Sequence, residues 1–195
     1  WDGLGEIQGK LNILWNVFRF PLEYMDLDGY DPADADLSDG ELELVDEWVL
    51  SRLQSVEAEV ADAWDDYRVS DAVNAVIEFV TQDVSRFYVK AVRDRMWEEA
   101  DSEAKRGAYA TLSTVINAVI RLLAPVTPYM AEEMYQTIDG SATTVHALDW
   151  PEVDDNLRGA DLEADIAVLR HVEEAAANAR RLGGRTVRWH VSTVR

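Results

Sequence analysis

The chain has 195 residues, 48% of them hydrophobic, and a formal net charge of −20 from 38 Asp and Glu against 18 Lys and Arg. That length suits one well-buried core, or a core with a small appendage. The absence of cysteine excludes disulfides and thiolate metal sites, and no apolar run approaches the roughly 20 residues of a membrane span.

Seven tryptophans and the high apolar content separate this chain from disordered acidic sequences. Only Lys10, Lys90 and Lys105 are lysines. The composition fits an acid-coated folded domain adapted to high salt better than an ordinary acidic domain that binds a basic partner. No basic-then-apolar secretion signal is present, and no membrane partner is expected. The chain opens on Trp1 and stops at Arg195 just after an apolar stretch, so it reads as a piece of a longer protein.

The first helix is expected from about Leu4 to Met25, with Ile7, Leu11, Leu14, Trp15, Phe18, Leu22 and Met25 on one stripe. Pro21 lies inside it and predicts a kink near Val17 to Pro21. The turn-rich DLDGYDPADADLSDG follows. Ser38, with Glu41 three residues on, reads as the capping box of a second helix ending near Trp64. Its buried stripe would be Leu42, Val45, Val49, Leu53, Val56 and Val60.

After a short DDYRVS turn, a third helix points Val73, Ile77, Val80, Val84, Phe87 and Ala91 inward. A fourth starts near Asp101 and buries Leu112, Val115, Ile116, Val119 and Leu123. Pro125 stops it. Thr127 and Pro128 restart the chain as cap and first residue of a fifth helix, which runs to about Ile138. SATTVHALDWP reads as extended. A sixth helix spans Leu157 to about Leu182 and ends at Gly183-Gly184. Thr186 to Val194 alternates like a strand whose sheet partners would lie elsewhere. The expected fold is all-α: an antiparallel helical bundle over residues 1–155, then a junction helix and one strand of a truncated C-terminal module over 156–195.

Catalytic constellations are missing. There is no Gly-rich phosphate loop, no His/Glu metal spacing and no Ser-His-Asp order, so no catalytic or metal residue is assigned. His146, His171 and His190 are far apart. The pairs Asp65-Asp66 and Glu132-Glu133 read as solvated faces in so acidic a chain.

Five strings carry a resemblance: LNILWNVFRFPLEYMDLDGYDP, DEWVLSRL, VTQDVSRFYVKAVRDR, LAPVTPYMAEEMY and VHALDWP. In this order and rough spacing they resemble the anticodon-binding bundle of class I aminoacyl-tRNA synthetases for isoleucine, valine and leucine, over about residues 1–155. The last forty residues resemble the junction of archaeal-type isoleucyl enzymes. There a helix ends in an Ala-Arg pair, here Ala179-Arg180, and leads to an Arg-Trp strand, here Arg188-Trp189. His190 stands where that family usually has proline. The HIGH and KMSKS signatures and an editing domain are absent, so the resemblance implies tRNA recognition without catalysis. The partners it implies are tRNA and the remainder of a synthetase chain, in the cytoplasm. It implies no cofactor for this piece, and ATP and Mg for the full-length enzyme. A valyl or leucyl enzyme, or a non-enzymatic helical scaffold, remains the alternative.

Phosphate binding by so acidic a chain must be local. Arg86, Lys90 and Arg93, at spacings of four and three, share a helix face roughly 130° from the apolar stripe. The eighteen residues from Asn178 to Arg195 hold Arg180, Arg181, Arg185, Arg188 and Arg195 and no acid. Salt-bridge clusters facing acidic neighbours are the plain alternative for both. Asn12, Asn16 and Arg19 lie opposite the stripe of the first helix, a set suited to base edges and stacking, or simply a polar face. Trp15 and Phe18 read as core.

The charge itself generates a test. Screening lengths fall from about 10 Å at 0.1 M salt to about 3 Å at 1 M, so salt relieves the repulsion among the acids. The melting temperature followed by circular dichroism should climb between those two concentrations; a flat or falling value would remove the high-salt reading.

Overall fold

A computed structural model describes residues 2–184, and their regular structure is helical throughout. The chain divides into two compact units, residues 1–158 and 159–195. The first is a bundle of α1 (Asp2–Asp28), α2 (Leu44–Asp65), α3 (Val69–Glu78), α4 (Val89–Trp97), α5 (Glu103–Leu123) and α6 (Pro128–Ile138). The second carries α7 (Ala160–Leu182), which stops at Gly183 and Gly184 as expected. The expected strand at Thr186 to Val194 lies outside the described residues.

Helix α1 runs through Pro21 to Asp28. It buries Leu14, Val17, Phe18, Pro21 and Met25, with Trp15 and Leu22 half-buried. Ile7, expected on the stripe, is exposed. The stripe begins one turn later because the first turns, with Gly3, Gly5 and Gly9 in open space, have no core beneath them.

Helix α2 does not start at Ser38. The backbone N–H and hydroxyl of Ser38 both donate to Asp36 Oδ1, at 2.8 and 2.6 Å, which makes a turn. Gly40 and Gly107 explain the delay. A Cβ on Gly40 would collide with the Glu103 carbonyl, and one on Gly107 with the Glu41 carbonyl. The two glycines let the loop lie against the first turns of α5, where Glu41 N–H donates to the Glu103 carbonyl at 3.0 Å. An amide so engaged cannot also donate to the Ser38 hydroxyl, as the capping box requires. The cap falls instead on Glu43, whose N–H donates to the Asp46 carboxylate at 2.8 Å. Once formed, α2 is central. Val49, Leu53, Val56 and Val60 are buried as the spacing predicts, while Leu42, ahead of the displaced start, and Val45, in the first turn, are only half-buried. Trp48, Leu50, Ser51, Gln54 and Glu57 are buried besides.

The expected third helix is α3, a wide-turned stretch over Phe79–Tyr88, and α4 in continuous succession. Val80 and Val84 are buried as expected, but Val73, Ile77 and Phe87 are only half-buried and Ala91 is exposed. The buried side chains recur every four residues: Ala72, Val76, Val80, Val84, Tyr88, Val92 and Met96. In an α-helix of 3.6 residues per turn, steps of four drift by about 40° each. The wider i→i+5 winding of Phe79–Tyr88 turns less per residue and takes up that drift.

Helix α5 buries all five residues expected of it and is capped by Ser102, which accepts Lys105 N–H at 3.2 Å. Thr127 precedes α6, but its hydroxyl donates back to the Leu123 carbonyl at 3.3 Å instead of capping. Phe18, Ile116, Ile120, Met134, Tyr135, Ile138 and Val145 pack together under α6. Glu132 is not a spare surface acid. Its Oε2 accepts from Thr144 Oγ1 at 2.7 Å and Val145 N–H at 3.0 Å, pinning the segment after α6. That segment forms a short 3-10 turn, Val145–Ala147, within its extended course.

Glu57 is the uncomfortable residue of this core. It is 3% exposed and its Oε2 has no hydrogen-bond partner. Burial pushes its pKa up to about 7, with Arg121 and Gln54 opposing the shift. The folded state therefore holds a proton that the unfolded state releases near 4.5. Stability from this group is full below about pH 4.5 and is lost as pH rises towards 7. Glu57→Gln should cancel that slope and raise stability at pH 8 by about 2–3 kcal/mol, with little gain at pH 4. Urea titrations at the two pH values check it; an equal effect at both would contradict the assignment.

Candidate nucleic-acid interface

Asn12, Asn16 and Arg19 all lie on the exposed side of α1, as their spacing predicts. Arg19 Nη2 reaches Glu23 Oε1 at 3.3 Å, one turn on. Both side chains are mostly in water, where such a pair is worth about 0–1 kcal/mol, so the guanidinium can be drawn away by a phosphate or a base.

Arg86, Lys90 and Arg93 are likewise exposed, opposite buried Val84, Tyr88, Val92 and Met96. Arg86 donates to Gln82 Oε1 at 3.0 Å. Arg93 lies over the Trp97 ring, 5.6 Å from its centroid. Trp97, 56% exposed, donates its indole N–H to Tyr24 Oη at 2.7 Å. Tyr24 in turn packs on Phe20, ring centroids 5.4 Å apart. A chain of contacts, Arg93–Trp97–Tyr24–Phe20, thus links α4 to the helix that carries Arg19. Sequence reasoning left Trp97, Tyr24 and Phe20 out of the candidate set. The four-residue step from Arg93 to Trp97, which can lay a cation over a ring, was a legible signal. The bond to Tyr24, 73 residues away, was not.

The cation ridge is held from behind. Arg95, between Arg93 and Trp97, points inward and forks onto Asp46, Nη1 to Oδ2 at 2.9 Å and Nη2 to Oδ1 at 2.8 Å. Tyr88 Oη donates to the same Oδ1 at 2.5 Å. Burial, then the Asp46 charge, holds the Tyr88 hydroxyl well above its usual pKa, so it stays a donor. Lys105 is spent similarly, 2.5 Å from Asp28 and donating to the Glu98 carbonyl at 2.7 Å.

Arg180 and Arg181 stand in the last turn of α7, where cations complement the helix dipole. Arg181 donates to Asn178 Oδ1 at 2.9 Å. Arg185, Arg188 and Arg195 lie outside the described residues. A cleft of about 330 Å³ near Tyr30 is lined by Asp28, Asp31, Asp34, Asp39 and Asp101 with Arg106, the wrong sign for phosphate. Among the described residues, no group of three His, Asp or Glu could hold a metal ion.

Residues 46–191 match the anticodon-binding domain of tRNA ligase. The chain belongs to that family. It is 64% identical, along its whole length, to the isoleucine–tRNA ligase of Haloquadratum walsbyi and 52% identical to that of Haloarcula marismortui. It spans 18% of the length of each of these relatives. Among solved structures it resembles the Agrobacterium radiobacter K84 LeuRS in its ternary LeuRS–tRNA–LeuAMS complex, with a TM-score of 0.58 and 17% identity over 80% of this chain and 17% of that one. That likeness speaks to the fold alone. Helix α1 precedes the stretch that matches the family, whereas the alignments with the ligases cover it. An anticodon-binding domain of this type, related to isoleucine ligases, is what the five strings and the junction implied, and it displaces the unrelated-scaffold alternative.

Proposed function

We propose that this chain is the tRNA-reading module of an isoleucine–tRNA ligase. The observation that carries the reading is the full-length similarity to isoleucine ligases, with a polar and cationic face on the side of α1 and α4 away from the core. Residues 1–155 would dock the anticodon stem-loop and residues 156–195 would lead into the next part of the enzyme. Aminoacylation, with its ATP and Mg, would belong to the remainder of the longer protein, since this chain has no phosphate loop. The working compartment would be the cytoplasm.

The roles divide by chemistry. Asn12, Asn16 and Arg19 offer amide and guanidinium groups to base edges. Arg86, Lys90, Arg93, Arg180 and Arg181 offer charge to phosphates, and Arg185 and Arg188 are assigned with them on sequence alone. Base contacts specify, and phosphate contacts raise affinity for every sequence alike.

The test separates ratio from level in the full-length ligase. Arg19→Ala and Asn16→Ala should narrow discrimination between isoleucine tRNA and its anticodon-swapped transcripts, by about 1–3 kcal/mol where the lost contact is bidentate. Arg181→Ala should weaken all tRNAs together and reduce the salt slope by about one. Competition binding reads both. An unchanged ratio in folded Arg19→Ala protein would mean that this face does not read the anticodon.

A further inference from the structure

We propose that Trp97 is a stacking platform for one unpaired base of the bound tRNA, with Arg93 as the clamp for the phosphate beside it. The proposal rests on the tRNA-reading function above and adds a residue pair to it.

Three observations converge. First, the indole stands in water. Trp97 is 56% exposed, against 38% for Trp150 and 1% for Trp48 in the same bundle. Second, the ring is pre-positioned. Its N–H is held by Tyr24 at 2.7 Å, so binding a base need not freeze a mobile side chain. Third, positive charge is concentrated on the stretch that leads up to the ring. Residues 86–95 hold Arg86, Lys90, Arg93 and Arg95 against the single acid Asp94, before Glu98 and Glu99 follow Trp97. Arg95 is consumed by Asp46, and the other three are exposed. Tyr67 and Tyr129 are more exposed than Trp97, yet among the described residues no cation lies across either ring.

An aromatic face beside exposed cations is the chemistry that holds single-stranded nucleic acid. The base takes the indole face and the cations track the backbone. Loop nucleotides are the ones whose bases are free to be splayed onto such a ring. Arg93 now sits over the indole; in the complex it would slide to the adjacent phosphate and yield the face to the base. Stacking is tolerant of base identity, so Trp97 contributes affinity and geometry, and Asn12, Asn16 and Arg19 contribute discrimination.

The full-length ligase is the reagent, with Trp97→Phe, Trp97→Leu and Arg93→Gln variants and isoleucine-tRNA transcripts carrying a single abasic nucleotide at each anticodon-loop position. Trp97→Leu should weaken tRNA binding about 5- to 100-fold. Trp97→Phe should stay within about 3-fold of the native enzyme, and Arg93→Gln should lower the salt slope by about one. At one loop position, the penalty for removing the base should vanish in Trp97→Leu protein, because ring and base are two halves of one contact. Additive penalties at every position would overturn the stacking role, as would a Leu variant that binds tRNA normally. Loss of turnover with unchanged tRNA affinity would show Trp97 packing against another part of the enzyme, and would also overturn it. Native enzyme that ignores the anticodon altogether would instead sink the underlying tRNA-reading assignment.

Discussion

The carboxylate of Asp46 has no exposure to water, and four donor groups converge on it: two from Arg95, one from Tyr88 and the backbone N–H of Glu43. An ion so buried is tolerable only because its oxygens are fully occupied. The constellation joins the first turn of α2 to the last residue of the wide-turned stretch and to the last turn of α4. It therefore fixes the rotation of α4 about its own axis. With Arg95 turned inward, Arg93 and Trp97 have to face outward. Such a cluster adds little net stability over a packed apolar one, but it penalises every alternative register that would strand the charge.

The same division of labour runs through the molecule. Arg95, Lys105 and Arg52 are spent on Asp46, Asp28 and Asp83 within or near the core. Most of the other acids are left in solvent, in a chain of net charge −20 whose relatives include the ligases of Haloquadratum and Haloarcula. Molar salt screens the repulsion within such a coat, and it also weakens phosphate binding by counterion release. The proposed RNA contact would then lean on stacking and on hydrogen bonds to bases. An exposed indole and an amide-bearing helix face suit that constraint better than a broad basic surface would.

What could be read from the sequence was whatever depends on local spacing. The α5 core, from Leu112 to Leu123, follows an unbroken 3.6-residue pattern, and the structure buries it without exception. The outward placement of Asn12, Asn16 and Arg19 follows from the same rule. The misreadings have non-local causes. Ser38 and Glu41 match a capping box, but Gly40 and Gly107 bring the loop against α5 and take the Glu41 amide. The buried residues of α3 and α4 recur at four because the helix widens between them, which no single-turn pattern reveals. Glu132 looks like one of many surface acids until Thr144 and Val145 fold back onto it. The step from Arg93 to Trp97 could be read, but the bond that holds the indole needs Tyr24 from another helix.

Amide hydrogen exchange in Asp46→Asn protein tests most directly whether this one carboxylate places α4. Removing its charge strands Arg95 and should cost about 3–5 kcal/mol. Under native conditions, the amides of Tyr88 to Trp97 should then exchange faster by a larger factor than those of Ala108 to Leu123, as α4 opens before the core behind it. An equal rise across both helices, or no change in α4, would contradict the role given to Asp46.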